Sequence, residues 1–292
     1  MLDQLSRATQ VIVQGATGRM ARVHIENMLA YGTRIVAGVS TRAEPGQAGV
    51  VPLFRTCREA VAATGSRVSL VMMPADAVMP AVEEALASGI RIVVTVAEGL
   101  PVHDALRIRR LAKEAGAQWL GASTPGLAIP GEMKIGFLPN VSLRPGPLGI
   151  MAKSGTLSYE VGFRLVMAGL GQSIWIGVGG DMVKGTRFRD LLPLFHNDHR
   201  TRGILLIGEV GGDEEEEFAW ALAQSSAAKP VYALVAGSNA KEGVSMGHAG
   251  ALVFGAVGTY ASKKKALEAA GAKVFTSVND LIDACRRDYV GK

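Results

Sequence analysis

The sequence predicts an α/β protein with two doubly wound domains, each built on a parallel sheet covered by helices. Short apolar runs alternate with helical patterns along most of the 292 residues, which is typical of sheets buried on both faces. Glycine-containing turns follow the first strand of each half. A stretch rich in glycine and proline interrupts the alternation near the middle, and the chain length itself suggests about two domains.

In the first half, five apolar strands are separated by four helical patterns. The first strand, Val11-Ile12-Val13, consists of β-branched residues, which favour buried strands. The predicted strands are 11–13, 34–39, 68–73, 90–96 and 118–120, and the predicted helices are 19–31, 57–64, 76–88 and 103–115.

The turn after the first strand is a candidate phosphate-binding site. Gln14-Gly15-Ala16-Thr17-Gly18 leads into the first helix, whose N-terminal amides attract anions, although it matches only part of the G-x-G-x-x-G pattern. The second strand ends at Ser40-Thr41-Arg42, where an NAD-binding protein usually has an acidic residue. A cation there suits a ribose that carries a phosphate, as in NADP or coenzyme A. Glu44 lies close, and an ordinary exposed loop arginine explains Arg42 equally well.

Residues 121–149 are rich in glycine and proline, and we expect them to form the crossover between the domains. The predicted domains are 1–123 and 124–292. The second half repeats the alternation of strands and helices. Its predicted strands are 148–152, 173–178, 203–208, 230–236 and 272–276. Five helices are predicted between and after them: one that ends at 167, one near 187–195, one that begins with 213–217, and two at 263–270 and 279–287.

One histidine of the second half is a candidate for chemistry. His248 lies between Gly247 and Gly250 in a stretch that follows a buried strand, so we expect a loop at the carboxyl end of the sheet. An imidazole there can serve as a nucleophile or a base, and the glycines leave room for a large reactant. The simpler interpretation is a surface loop that happens to contain a histidine.

Two other strand ends could assist this histidine. Glu209 ends a strand just before two glycines, and beside His248 it would hold one ring nitrogen. The turn Ser154-Gly155-Thr156 begins a helix, so its amides could hold a phosphoryl group. Plain N-capping by Ser154 or Thr156 explains the same residues without a ligand.

Composition excludes several classes of protein. The net charge of +5 with only 5% aromatic residues suits anionic small molecules rather than nucleic acid. No apolar run reaches the roughly 18 residues of a membrane helix. Two cysteines without metal spacing indicate a reduced, cytoplasmic protein. His196 and His199 lack an acidic or cysteine partner alongside, and we expect no metal site.

The charge runs are interpreted as structural. Lys263-Lys264-Lys265 is the densest basic run, and we expect it to be the solvated start of a helix. The acidic run Asp213 to Glu217 opens another helix, where acidic side chains favour the helix dipole.

Seven short segments are distributed over nearly the whole chain. They are Gln14-Gly15-x-Thr17-Gly18, Glu98-Gly99-x-Pro101, Pro130-Gly131-Glu132-x-Lys134-Ile135-Gly136, Ser154-Gly155-Thr156-Leu157-x-Tyr159-Glu160, Gly177-x-Gly179-Gly180-Asp181, Ile207-Gly208-Glu209-x-Gly211-Gly212 and Met246-Gly247-His248-Ala249-Gly250-Ala251. No single segment is specific, but the whole set is, and it resembles the alpha subunit of succinyl-CoA synthetase and related acid–CoA ligases.

The resemblance implies a Rossmann-like CoA-binding domain, a flavodoxin-like ligase domain and a three-step reaction. A beta subunit with an ATP-grasp fold, in a heterodimer or heterotetramer, would bind Mg²⁺ and ATP or GTP and pass the γ-phosphoryl to His248. Phosphohistidine would phosphorylate a carboxylic acid, and the CoA thiol would attack the acyl phosphate.

The same resemblance implies a role for individual residues. Glu209 would orient His248. The CoA contacts would be Thr17, Gly18, Arg19, Met20, Val96, Ala97 and Glu98, the phosphate contacts Ser154, Gly155 and Thr156, and the carboxylate contacts Ser123, Thr124 and Tyr159.

The chain departs from the family pattern in four places. Thr41-Arg42-Ala43 stands where relatives usually have Pro-Gly-Lys, and we expect Arg42 to replace that lysine as a CoA contact. Relatives usually have Asn-Cys-Pro-Gly at 123–126 and Pro-x-x-Gly at 182–185, both near the carboxylate in the family. These changes leave open whether the acid is succinate, another dicarboxylate or a hydroxy acid. Val244-Ser245 replaces a common basic pair before the histidine, which could alter how the loop docks on the nucleotide site.

Two alternatives from other classes remain at this point. Gly15-Ala16-Thr17-Gly18-Arg19-Met20 also resembles the opening of an NADP-dependent reductase. The other alternative is a CoA-binding regulatory protein without turnover.

Overall fold

The structure is a computed structural model, and it describes residues 1–42, 50–225, 229–241, 243, 247–253, 255 and 258–290. Ala43, Glu44, Val244, Ser245 and Met246, which the sequence singled out, lie outside the described residues. The chain divides into two compact units. The first contains Met1–Ala128, Glu132–Phe137 and Val183–Thr186, and the second contains Ile129–Gly131, Leu138–Met182 and Arg187–Lys292.

The first unit contains a parallel sheet of six strands in the order β3-β2-β1-β4-β5-β6. Its elements are β1 (Gln10–Gln14), α1 (Arg19–Tyr31), β2 (Arg34–Val39), β3 (Leu53–Phe54), α2 (Cys57–Thr64), β4 (Val68–Val71), α3 (Ala75–Ala87), β5 (Ile92–Thr95), α4 (Val102–Glu114) and β6 (Gln118–Leu120). The order reverses between β1 and β4, and sheets of this type bind ligands beyond the carboxyl ends of the strands at such a point. This confirms the predicted Rossmann-like fold.

The apolar runs form the interior of this sheet. Val11, Ile12 and Val13 are completely buried in β1. Helix α2 begins with a capping box, in which the Thr56 side chain accepts from the Glu59 N–H and the Glu59 carboxylate accepts from the Thr56 N–H. Local sequence and burial therefore favour the same elements, with bounds close to the predicted ones.

The segment predicted as an irregular crossover contains regular structure. Strands β7 (Gly126–Ile129) and β8 (Met133–Gly136) are hydrogen-bonded neighbours, and a short 3₁₀ helix follows at Asn140–Ser142. Gly126 and Gly136 have φ angles of +102° and +107°. A Cβ at Gly126 would lie 1.8 Å from the carbonyl oxygen of Ile135. These glycines permit close pairing of the two strands, so their turn-like composition was misleading.

Five strands of the second unit run in the order β13-β12-β11-β9-β10, with parallel pairing throughout. The elements are β9 (Pro145–Ala152), α5 (Gly155–Met167), β10 (Gln172–Gly177), α6 (Phe188–Asn197), β11 (Gly203–Glu209), α7 (Glu214–Ala223), β12 (Val231–Ala236), α8 (Tyr260–Ala269), β13 (Lys273–Phe275) and α9 (Val278–Tyr289). Counted along the chain from β9, this is the flavodoxin-like order 2-1-3-4-5. Its order reverses between β9 and β11.

The boundary predicted at residues 123 and 124 stays a prediction. Within the described part of the chain, no helix is both long enough and apolar enough to cross a membrane.

Candidate functional site

A cavity of about 570 Å³ lies in the first unit, where the carboxyl ends of β1, β2 and β4 meet. Of the predicted CoA contacts, Thr17, Gly18 and Arg42 line it. Its lining also includes Arg55, Asp76 and Glu84, which the sequence analysis did not identify. Arg55 follows the two-residue strand β3, which is too short for a sequence pattern to predict.

The glycine turn shapes this cavity. Gly15 has a φ of +79°, and a Cβ there would lie 2.5 Å from the Met72 carbonyl oxygen. The Thr17 hydroxyl lies 2.8 Å from that of Ser40, whose Oγ also accepts from the Arg42 N–H at 3.3 Å. Gly18 is the N-cap of α1 and has no side chain to occupy the first amides of the helix. The turn therefore exposes helix amides beside a cation, which suits a phosphate.

The other predicted CoA contacts, all in the described part of the chain, are not among the residues that line this cavity. Arg19 and Met20 are exposed in the first turn of α1. Val96 and Ala97 are half-buried after β5, and Glu98 is exposed. Their role as CoA contacts stays a prediction.

The structure brings His248 and Glu209 into contact in the second unit. His248 Nδ1 lies 2.6 Å from Glu209 Oε2, and the side chains are 27% and 9% exposed. Glu209 is the last residue of β11, so the sheet fixes its backbone. Because a carboxylate can only accept hydrogen bonds, we assign the ring proton to Nδ1. Nε2 then keeps its lone pair and can act as a nucleophile.

Glycines make room for the imidazole. A Cβ at Gly180, just beyond β10, would lie 2.7 Å from both Cγ and Nδ1 of His248. The Gly250 N–H donates to the Gly180 carbonyl at 3.1 Å, and the Ala251 N–H donates to the His248 carbonyl at 3.0 Å. We call residues 237–259, between β12 and α8, the histidine loop. Its Gly250 is therefore attached to the turn after β10, and the ring of His248 lies directly over Gly180.

The predicted phosphate turn lies at the same edge of the sheet as Glu209. Ala152 of β9 pairs with Ile207 of β11, and the Lys153 N–H donates to the Ile207 carbonyl at 3.0 Å. Ser154 is the N-cap of α5, and its Oγ accepts from the Leu157 N–H at 3.3 Å. The capping interpretation is therefore correct for Ser154. The other amides of the first turn, which includes Gly155 and Thr156, have no partner within the helix and stay suited to a phosphoryl group.

The expectation of a solvated Lys263 was wrong. Lys263 is completely buried, and its ammonium group pairs with Glu215 and with Glu216, the latter at 3.0 Å. Glu214 and Glu215, expected only to favour a helix dipole, are also buried. Burial raises the pKa of the Glu215 carboxyl, but the charges of Lys153 and Lys263 together outweigh it and hold that pKa below its usual range.

The predicted carboxylate contacts are distributed over both units. Ser123 and Thr124 belong to the first, where the Ser123 N–H donates to the Ala97 carbonyl at 2.8 Å and Thr124 Oγ1 accepts from the Gly126 N–H at 2.9 Å. Tyr159 belongs to the second, on α5, with its ring centroid 6.4 Å from that of Trp175. Burial raises the pKa of the Tyr159 phenol to about 12, so it stays protonated at neutral pH. Their contact with substrate stays a prediction.

The surroundings of His196 and His199 do not resemble a metal site. His196 Nδ1 lies 3.1 Å from the Ser225 hydroxyl, and His199 is exposed. Among the residues that the structure describes, no group of three or more His, Cys, Asp or Glu could hold a metal ion.

Both halves of the chain match known protein families. Residues 6–99 match the family model of a CoA binding domain, and residues 151–273 match that of CoA-ligase. The succinate–CoA ligase [ADP-forming] subunit alpha 2 of Archaeoglobus fulgidus is 45% identical over 270 residues, which cover 91% of this chain and 92% of that protein. The alpha subunit of Aquifex aeolicus is 42% identical over 277 residues, which cover 93% of this chain and 89% of that protein.

The fold, the cavity and these matches define an enzyme of the acid–CoA ligase class with a CoA-binding domain. Its relatives are named for one ligase in particular. The chain belongs to the family of succinate–CoA ligase alpha subunits. Membership in this family favours the ligase interpretation over that of an NADP-dependent reductase.

A solved structure with the same fold is ATP citrate lyase from Methanothrix soehngenii, determined in complex with citrate and coenzyme A. The match has a TM-score of 0.88 and 25% identity. It covers 98% of this chain and 50% of that one, so this chain spans about half the length of the lyase chain.

Proposed function

We propose that this chain is the phosphoryl-carrying alpha subunit of a nucleotide-dependent acid–CoA ligase, with His248 as the carrier. The single observation that supports it best is the 2.6 Å contact between His248 Nδ1 and Glu209 Oε2. That contact leaves Nε2 as the nucleophile and stabilises the positive charge that develops on the ring when a phosphoryl group is transferred to it.

The proposed reaction has three steps. Nε2 of His248 attacks the γ-phosphorus of ATP or GTP, and the nucleoside diphosphate leaves. A carboxylate oxygen of the acid then attacks the phosphorus on His248, which gives an acyl phosphate and frees the ring. The CoA sulfur attacks the acyl carbon, and inorganic phosphate leaves. Amides at the start of α5 would stabilise the phosphoryl group while it is on the histidine.

The two units would divide these tasks. We propose that residues 1–123 bind CoA at the cavity of the first unit and that residues 124–292 carry the phosphohistidine chemistry. Relatives named as alpha subunits imply a beta partner. That partner would supply the ATP-grasp fold that binds the nucleotide and Mg²⁺, in a heterodimer or heterotetramer.

The proposal is tested by following the phosphoryl group. The chain is incubated with its cognate beta subunit, Mg²⁺ and γ-labelled ATP or GTP, and the label is mapped by peptide analysis at neutral pH. We expect an acid-labile label on His248 that is lost when a carboxylic acid and CoA are added. An unlabelled chain in a complex that binds nucleotide would contradict the proposal.

The same assay identifies the acid. Succinate, other dicarboxylates and hydroxy acids are supplied with CoA, and acyl-CoA formation is measured. Citrate is included because it was bound with coenzyme A in the Methanothrix lyase.

Arg42 provides a separate prediction for the CoA cavity. If its guanidinium pairs with the phosphate on the CoA ribose, Arg42→Ala should weaken CoA binding about tenfold, the usual effect of losing one exposed charge-assisted hydrogen bond. Binding of dephospho-CoA, which lacks that phosphate, should not change. Titration calorimetry with both ligands measures the difference. Arg58→Ala is the control, because Arg58 is exposed on α2 and does not line the described cavity. Equal weakening for both ligands would place Arg42 elsewhere in the site.

A further inference from the structure

Three charged residues of the second unit form a cluster that the proposed reaction does not use. Lys153, Glu215 and Lys263 are 5%, 0% and 0% exposed, and we call them the buried charge cluster. Lys153 Nζ lies 2.9 Å from Glu215 Oε1, and Lys263 Nζ donates to Glu215 Oε2. Two ammonium groups therefore share one carboxylate in the interior. Each has a second carboxylate nearby, since Glu214 Oε2 lies 3.8 Å from Lys153 Nζ and Glu216 Oε2 lies 3.0 Å from Lys263 Nζ.

The cluster is bonded to the backbone that carries Glu209. Glu215 Oε1 accepts from the Glu209 N–H at 3.1 Å. The same oxygen lies against the strand, since a Cβ at Gly208 would be 2.5 Å from it. Lys263 Nζ donates to the Gly212 carbonyl at 3.0 Å. Both ends of the segment from Glu209 to Gly212 are thus fixed by the cluster.

Its two lysines also lie next to the other parts of the site. Lys153 immediately precedes Ser154, the N-cap of α5. Lys263 lies in the first turns of α8, the helix that follows the histidine loop. That loop is joined to the glycine segment by the hydrogen bond from the Gly211 N–H to the Gly258 carbonyl, at 2.8 Å. The cluster therefore lies beside the start of α5, holds the segment from Glu209 to Gly212, and belongs in part to the helix that follows the histidine loop.

Stability alone is a weak explanation for such a cluster. Burying charges carries a large desolvation cost, and apolar residues of similar volume often replace a buried ion triad with no loss of stability. Hydrogen bonds to backbone groups beside a catalytic carboxylate, by contrast, fix its position and direction.

We propose that Lys153, Glu215 and Lys263 are positioning residues, which hold Glu209 so that it selects the Nδ1–H form of His248. This inference rests on the proposed function in one respect: the step that the positioning would assist is the phosphorylation of His248. Glu215 fixes the start of the Glu209 segment, and Lys263 fixes its end to the helix beyond the histidine loop. The three residues act on the imidazole through Glu209 and do not touch the reactants.

Two variants separate positioning from stability. Glu215→Gln removes the carboxylate charge and leaves two buried lysines facing an amide. The triple variant Lys153→Met, Glu215→Met and Lys263→Met removes all three charges with little change in volume. Tyr232→Phe is the matched control, because it deletes a hydrogen bond from an equally buried side chain of the same unit, to Asp288. All three are studied in the complex with the beta subunit.

Two measurements are made on each variant. Nitrogen-15 NMR of labelled histidine reports the protonated nitrogen of His248 without any nucleotide. Rapid-quench labelling then gives the rate of phosphorylation. We expect the triple variant to fold, to bind CoA normally, to show a mixture of ring tautomers, and to phosphorylate about 10- to 100-fold more slowly. The control should match the wild type in both measurements.

A folded triple variant with a wild-type ring tautomer and rate would overturn the proposal. Glu215→Gln decides the question if the triple variant does not fold, because it keeps both lysines: a wild-type ring tautomer and rate in that variant would also overturn the proposal. In a Glu209→Gln background the triple change should have no further effect on the tautomer, since the residues act through Glu209. If the wild type is never labelled but the tautomer still depends on the cluster, the proposed function fails and the positioning inference stands.

Discussion

The His248→Asn variant should take up no covalent label from γ-labelled nucleotide and should lose acyl-CoA formation by on the order of 10⁴-fold or more. Asparagine keeps a polar side chain near Glu209 but has no nitrogen lone pair that can attack phosphorus. The phosphoryl group can then no longer be transferred through the histidine, and only the direct reaction of the nucleotide with the acid remains. Peptide mapping of the label and steady-state turnover, both in the complex with the beta subunit, measure the two losses.

The control for this variant is His199→Asn, the same chemical change at an exposed histidine. It should label and turn over as the wild type does. CoA binding should be unaffected in both variants, because the cavity belongs to the other unit. Label that persists in His248→Asn would assign the phosphoryl acceptor to another residue. Unchanged behaviour in every assay, with CoA still bound, would favour the regulatory alternative.

The buried strands were the most predictable part of the chain. A parallel strand that is covered on both faces is a short apolar run, and it can be recognised without knowing its neighbours. Helix α1 at Arg19–Tyr31 and strand β2 at Arg34–Val39 have the predicted bounds.

Strands β7 and β8 show where this reasoning fails. Their residues include glycines with positive φ, and a sequence pattern assigns such glycines to turns. What makes them strands is the close approach of Gly126 to the backbone of Ile135, nine positions further along the chain. A contact of that kind depends on the tertiary structure and has no local pattern.

The pairs Glu209–His248 and Glu215–Lys263 differ in how far they could be predicted from the sequence. Glu209 and His248 are 39 positions apart. Glu209 ends β11, His248 follows the neighbouring strand β12, and the carboxyl ends of parallel strands meet at one edge of the sheet. Glu215 and Lys263 are 48 positions apart and lie on helices α7 and α8, where no rule relates their faces. A lysine run at a helix start is usually solvated, so burial of Lys263 could not be predicted from its neighbours in sequence.

Glu209→Gln should slow phosphorylation of His248 by on the order of 10⁴-fold, the loss typical of a catalytic histidine when the carboxylate that fixes its tautomer becomes an amide. A glutamine amide can donate to Nδ1, which a carboxylate cannot do. The ring proton then moves to Nε2, and the lone pair that attacks phosphorus is lost. Rapid-quench labelling gives the rate, and nitrogen-15 NMR of His248 gives the tautomer in the same sample.

Glu268→Gln is the matched control, because it makes the same change at an exposed ion pair with Lys264 on α8. It should leave both measurements unchanged. Glu209→Asp keeps the charge and should recover part of the rate, since a carboxylate at a longer distance still prefers the Nδ1–H form. A Glu209→Gln variant that is slow but retains the Nδ1–H form would mean that charge stabilisation, and not tautomer selection, is the main role of Glu209. A variant that is neither slow nor changed in tautomer would remove Glu209 from the mechanism, because the 2.6 Å contact would then have no effect on the ring.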